Sequence, residues 1–263
     1  MDDNAGSTER PAARWRVRLK GEAPDLEDLV ELITSPAIRV VKDGGDFFFE
    51  SVTFERLDGT VEVLEEAQRL LPRLNGAGKL KRRGFRDVDV DGHLVEFRAG
   101  GGEARELAAE GSITPRGRVV HAVARPATVE IRARVPAPTI LVDGQPMSPK
   151  PGTLETDRWL ELAERDPDVA EALAAFNRPH DWVNLYRVLE IIEGRADIVG
   201  GGWASANEVE RFSRTANHPR AAGPNARHAR SSVEPPPRPM TPEEGVELIR
   251  RMLRGWLGSV ASP

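Results

Sequence analysis

Apolar and polar positions recur along this chain with two different periods, and the switches between them outline its elements. Residues 15–19 alternate apolar and basic, from Trp15 through Val17 to Leu19, which predicts a strand. Residues 25–33 place Leu26, Leu29, Val30 and Ile33 on one side and acids on the other, the pattern of a short amphipathic helix. Residues 38–41 and 47–54 read as strands joined by a hairpin turn at Asp43-Gly44-Gly45. Residues 61–74 return to helical spacing. Val63, Ala67, Leu70, Leu71 and Leu74 form the buried stripe, and Gly76 is the expected C-cap. Period two then resumes: residues 85–90, 93–98, 105–113, 118–123 and 128–135 predict successive short strands, with turns at Asp91-Gly92 and at 100–102.

Five prolines between Pro136 and Pro151 interrupt both patterns, because proline stops helices and central strands. Beyond them every periodic segment is helical. Residues 157–164 and 168–176 form a broken helix with Asp166 as N-cap and Pro167 in the first turn. Residues 181–193 carry Trp182, Leu185, Val188, Leu189 and Ile192 at helical spacing. Ser205 and Glu208 form a capping box, and Thr241, Pro242 and Glu244 repeat the start signal before a last helix to Leu257. The expected architecture is α+β: a mostly antiparallel sheet with two helices, then an all-helical domain. The expected division is a disordered tail over 1–12, an α+β domain over 13–136, a Pro-rich linker over 137–152 and a helical domain over 153–263.

Composition narrows the chemistry. There is no cysteine, which excludes disulfides, thiolate metal sites and thiol nucleophiles. The polar start MDDNAGSTER has no apolar segment of a secretory signal, and no apolar run nears the roughly 18 residues that span a bilayer. A cytoplasmic location and no membrane partner are therefore expected. Neither a metal-ligand spacing nor a serine-hydrolase motif occurs, and no cofactor is expected. The sequence Asn75-Gly76-Ala77-Gly78-Lys79 is a fragment of a phosphate-binding loop that lacks the preceding strand and the following Ser or Thr, so it reads as a helix end. Lys79, Lys81, Arg82, Arg83 and Arg86 around Phe85 have the composition of a nucleic-acid contact and equally that of a solvated strand entry.

One segment departs from the acidic whole. The chain has a formal net charge of -5, yet residues 211–230 hold five Arg, two His and two Asn with no Asp or Glu. On the helix that starts after Ser205, Val209, Phe212 and Ala216 share one face, and Arg211, Arg214 and His218 share another. The two rows lie about 200° apart at about 100° per residue, so the basic row is expected to face away from the core. Arg227 and His228 return in a Gly/Pro/Asn loop that could bring a second Arg–His pair beside the first, with Asn217 and Asn225 adding donors. Such a cluster is a solvated basic face or an anion site, in which Arg forks hold phosphate and His moves protons.

Two resemblances follow. The segments WVNLY at 182–186, RFSRTAN at 211–217, ARH at 226–228, PMT at 239–241 and WL at 256–257, together with residues 15–80, resemble a group of uncharacterised bacterial two-domain proteins; this implies no activity. In the helical half, Arg211 and His218, separated by six residues, are similar to the signature of HEPN domains, which are all-helical, often dimeric, and in many cases metal-independent ribonucleases. That resemblance implies His218 as proton-transfer catalyst and Arg211 as stabiliser of the scissile phosphate. Pro219 departs from it by pushing His218 out of helical geometry.

The expectation carried forward is a binding or regulatory protein. Its ligand-binding residues would be Arg211, Arg214, Asn217, Asn225, Arg227 and His228, and its partner RNA, another anionic ligand or a protein, with a homodimer as one arrangement. The alternative is a HEPN-like ribonuclease, a toxin or defence effector, with Arg211, His218 and His228 catalytic. The second alternative gives the segment a structural role, in which Arg227 and His228 pin the long loop and Trp159, Trp182, Trp203 and Trp256 are core.

Overall fold

A computed structural model describes residues 15–96, 105–108, 141–142, 145–146, 155–230 and 234–261. The fold is α+β, as the two periods predict. Strands β1 (Trp15–Lys20), β2 (Ile38–Asp43), β3 (Asp46–Ser51), β4 (Asp89–Glu96) and β5 (Arg105–Ala108) form one antiparallel sheet in the order β2-β3-β1-β4-β5. Short strands β6 (Leu141–Val142) and β7 (Gln145–Pro146) pair separately. Alternation sets the buried face: Trp15, Val17, Leu19, Val40 and Phe49 point into the core. On the opposite face Arg16 and Arg39 both donate to Glu50, which is buried between them on neighbouring strands.

Helices α1 (Ala23–Leu32) and α2 (Thr60–Lys81) belong to the same half. The expected C-cap at Gly76 is corrected: α2 continues to Lys81, and Gly76 lies in its interior. The reason is a tertiary contact invisible to local pattern. A Cβ at Gly76 would overlap the carbonyl oxygen of Leu173, so glycine lets another helix backbone approach. Two residues on, on the other side of the helix, a Cβ at Gly78 would lie 2.8 Å from the Phe85 ring. Asn75 accepts from the Val88 amide at 3.1 Å and donates to the Val88 carbonyl at 2.9 Å, closing the following chain onto the helix. The loop-like NGAG sequence is a packing joint.

A second correction concerns Asp91-Gly92. There is no turn there; β4 runs through both residues. Gly92 adopts φ +86°, and the pairing with β1 shifts register between Val17 and Leu19, so the glycine serves an irregularity within the strand. Phe85 and Val88 are buried ahead of β4 without joining it. The strands expected over 118–123 and 128–135, the end of that over 105–113, the turn at 100–102, the tail and most of the Pro-rich linker lie outside the described residues.

The helical region comprises α3 (Glu155–Arg165), α4 (Pro167–Asn177), α5 (Trp182–Glu193), α6 (Ala206–Asn217), the single turn α7 (Pro219–Ala222) and α8 (Pro242–Ala261). Two caps form as read: Asp166 accepts from Asp168, and Ser205 and Glu208 complete the reciprocal box; Asp181, not read as a cap, accepts from the Asn184 amide at the start of α5. Thr241 and Glu244 exchange the equivalent pair of bonds at α8. Trp159, Trp182 and Trp256 are core; Trp203 is half-buried, lodged between Gly201 and Gly255.

The two halves share one apolar core. Buried Asp157 of α3 accepts from the Thr34 and Ser35 amides, at 2.8 and 2.9 Å, and from the Thr34 hydroxyl at 2.8 Å. Thr156 donates to the Leu32 carbonyl, and Arg73 pairs with Glu164 at 2.9 Å. At the far end of α2, Arg250 of α8 donates to the carbonyls of Lys79 and Leu80. A cation there satisfies orphan carbonyls and complements the negative end of the helix.

Candidate functional site

The Arg/His/Asn segment is organised by internal contacts. Arg211 donates through Nε to the Arg238 carbonyl at 2.7 Å, and through Nη2 to the Pro239 carbonyl at 3.2 Å and to Glu244 at 2.8 Å. Arg214 donates to the Glu234 carbonyl at 2.9 Å. Thr215 between them accepts from the Met240 amide at 3.1 Å. Of the basic row expected to face outward, Arg211 and Arg214 are half-buried beneath bonds to residues 234–239, and His218 is buried. A groove of about 280 Å³ remains beside Arg211, Arg214, Arg238, Glu210, Pro236 and Pro237.

The other residues of the segment separate. His218 is 4% exposed, in extended geometry at the end of α6 as Pro219 requires. Its Nδ1 accepts from the Arg220 amide at 3.0 Å, which places the ring proton on Nε2, itself buried and without a partner. Oδ1 of neighbouring Asn217 is buried in the same condition. Arg227 stacks over Tyr186 at 4.3 Å, pairs with Glu190 at 2.7 Å, and its amide donates to the Ala216 carbonyl at 2.8 Å. Asn225 and His228 are exposed. Arg211 and His218 are thus not brought together on an accessible surface, and His228 stands away from the buried groups. Of Arg227 and His228, it is Arg227 that contacts Tyr186, Glu190 and the Ala216 carbonyl.

A larger concave site lies where the halves meet. Its walls come from the end of α2, the turn at 82–85, the connection 178–180 between α4 and α5, and the first turns of α8. The cleft holds about 570 Å³. Lys79, Arg82, Arg83, Arg178 and Arg250 line it against two acids, Glu243 and Glu247. Pro179, Pro242, Val246 and the edge of Phe85 supply apolar surface. Phe85 itself is buried against Gly78, so the ring read as a stacking platform is core.

The cations differ in how firmly they are held. Arg250 is fixed on the α2 carbonyls, its guanidinium 5.5 Å from the Phe176 ring centre. Lys79 is paired with Asp87 at 2.6 Å. Arg82 has only long contacts, at 3.6 Å to each of Asp28 and Glu31. Arg83, 78% exposed, meets Glu247 at 2.6 Å. Exposed ion pairs are worth little, so Arg82 and Arg83 are open to exchange with another anion. His180 contacts the Phe176 carbonyl through Nε2 at 3.0 Å. Burial pushes its pKa below the ordinary 6.5; the Phe176 hydrogen bond opposes this, and Lys79 and Arg250 lower it further. The imidazole is neutral at neutral pH and becomes easier to protonate if an anion enters.

Sequence reasoning found the 79–86 cluster but not its partners. Arg178 and His180 carry no local signal. The α8 arginines did: Glu247, Arg250, Arg251 and Arg254 stand at i, i+3, i+4 and i+7, one face of a helix. Among the described residues, no three His, Cys, Asp or Glu are grouped to hold a metal ion, and no helix is long and apolar enough to cross a membrane. Comparison with protein-family models, with curated proteins and with solved structures finds no match to this chain.

Proposed function

We propose that the protein binds a small phosphate-bearing ligand in the cleft between its halves, and that the arginines of 211–230 hold the helical half together. The observation that carries the reading is convergence: Lys79, Arg82, Arg83, Arg178 and Arg250, from three separate stretches of chain, line one cleft beside apolar surface. Its volume of about 570 Å³ fits a small molecule, since such sites span about 300–1,000 Å³. Guanidinium forks match phosphate oxygens, and the apolar surface at Pro179, Pro242 and Val246 suits a compact organic body beside the charge. Arg211 and Arg214, by contrast, already donate to carbonyls of 234–239, and Nε of Arg214 is buried without a partner.

The test is calorimetric titration with phenyl phosphate at low salt. Wild type is expected to bind saturably, and an Arg82→Ala/Arg178→Ala variant to bind about tenfold more weakly or less, the loss of charge-assisted bonds. No binding, or equal binding by the variant, overturns the reading. RNA incubated with the protein in EDTA is the control: cleavage that an Arg211→Ala/His218→Ala variant loses would return the site to 211–230.

A further inference from the structure

A second cleft of about 360 Å³ adjoins the first, lined by Lys81, Arg83, Glu247, Arg250, Arg251 and Arg254. The two share Arg83, Glu247 and Arg250. Arg250 forms the common base, fixed on the α2 carbonyls. The exposed Arg83–Glu247 pair, at 2.6 Å, spans the rim between them. Lys81 and Arg254, which line the second cleft, both pair with Glu155, at 2.7 and 3.0 Å. Arg251 is committed to Glu208 and to the Trp203 carbonyl.

We propose that the ligand carries two phosphate groups, one in each cleft, and that Glu247 is the carboxylate it displaces from Arg83. This rests on the phosphate-binding reading above and extends it to the ligand's class. The argument is competition. Arg83 is the one mobile cation common to both clefts, and Glu247 holds it at their boundary. A ligand with one phosphate satisfies the first cleft and leaves the pair in place. A ligand with two must cross the rim, where its non-bridging oxygens take over Arg83 and its far phosphate competes with Glu155 for Lys81 and Arg254. Release of Glu247 costs little because the pair is exposed, and the carboxylate keeps a contact with Arg250, 3.4 Å away in the same helix.

The test compares orthophosphate with tripolyphosphate by calorimetry at one fixed ionic strength, in folded wild type and three variants. Arg254→Ala is expected to lower the tripolyphosphate-to-orthophosphate affinity ratio about tenfold. Glu247→Gln is expected to raise that ratio several-fold, and Glu243→Gln, with the same change of charge but no hold on Arg83, much less. A ratio unmoved by Arg254→Ala, or equal gains from Glu243→Gln and Glu247→Gln, overturns the second site. If phenyl phosphate still binds wild type in that event, only the two-phosphate ligand is lost. If nothing binds any of the proteins, both proposals fall.

Discussion

Arg211 of α6 reaches Glu244 in the first turn of α8 at 2.8 Å, and the same carboxylate accepts from the Thr241 amide at 2.9 Å. One arginine thus secures the return of residues 238–239 and the start of the last helix together. Arg211→Ala is expected to lower the urea midpoint modestly, since it removes three charge-assisted bonds whose acceptors are exposed to solvent. Arg211→Lys should recover less than half of that, because an ammonium cannot reproduce the fork. Urea unfolding measures both. Unchanged midpoints would refute the clamp.

Two glycines in helices give opposite expectations. At Gly76 a methyl would strike the Leu173 backbone; at Gly258 it would meet nothing within 4 Å. Gly76→Ala is expected to cost roughly 1–3 kcal/mol despite alanine's better helix propensity. Gly258→Ala should be neutral or stabilising by up to about 1 kcal/mol. A thermal scan separates them. Equal shifts would remove the close helix approach as the reason for glycine at 76.

Asp157 tests the joint between the halves. Its removal strands two amides and a hydroxyl at Thr34 and Ser35. Asp157→Ala is expected to cost about 3 kcal/mol or more, and limited proteolysis should then cut between residues 96 and 155 with separation of the two parts. Resistance equal to wild type would contradict it.

Glu208 provides the clearest acid-side prediction. The Ser205 amide, then the Ser205 hydroxyl, then Arg251 hold its carboxyl at about 2, below the ordinary 4.5. A depressed carboxylate stabilises the fold fully above pH about 4.5, and that contribution fades as pH falls toward 2. With 41% of the side chain exposed, solvent screening limits the effect to about 1 kcal/mol. Glu208→Gln should flatten the pH dependence of the urea midpoint in that window, by lowering the midpoint near neutrality and changing it little near pH 2.

His180 couples the cleft to protons. Its folded pKa lies below 6.5, so the folded state binds fewer protons than the unfolded chain, and stability declines as pH falls from 6.5 through the folded value. Phosphate in the cleft should raise that pKa. Its imidazole proton resonances, followed against pH with and without phenyl phosphate, are expected to titrate at higher pH with ligand; coincident curves would place the ligand elsewhere.

What the sequence made legible was local. Asp166-Pro167, Ser205 with Glu208 and Thr241 with Glu244 announce helix starts because each cap closes within three residues. Strand alternation at Trp15, Val17 and Leu19 is equally local. The length of α2 was not legible, because glycines that usually end helices are here required by Leu173 and Phe85. The expected anion segment failed to show its covering for the same reason: the carbonyls that take the donors of Arg211 and Arg214 lie 20 or more residues downstream. The seam cleft joins positions about 100 and 170 residues apart, as the links from Lys79 to Asn177 and to Arg250 show, and no periodicity reaches that far.

The placement of Arg250 has a consequence for the order of events during synthesis. The carbonyls at the end of α2 leave the ribosome some 170 residues before the side chain that satisfies them. Until α8 emerges, those carbonyls have only water as a partner, although Phe85 and then Leu173 of α4 are already made to cover Gly78 and Gly76. Contacts of such long range delay the transition to the native state. The sheet half is therefore expected to remain a chaperone client through most of translation and to lock in a single late step.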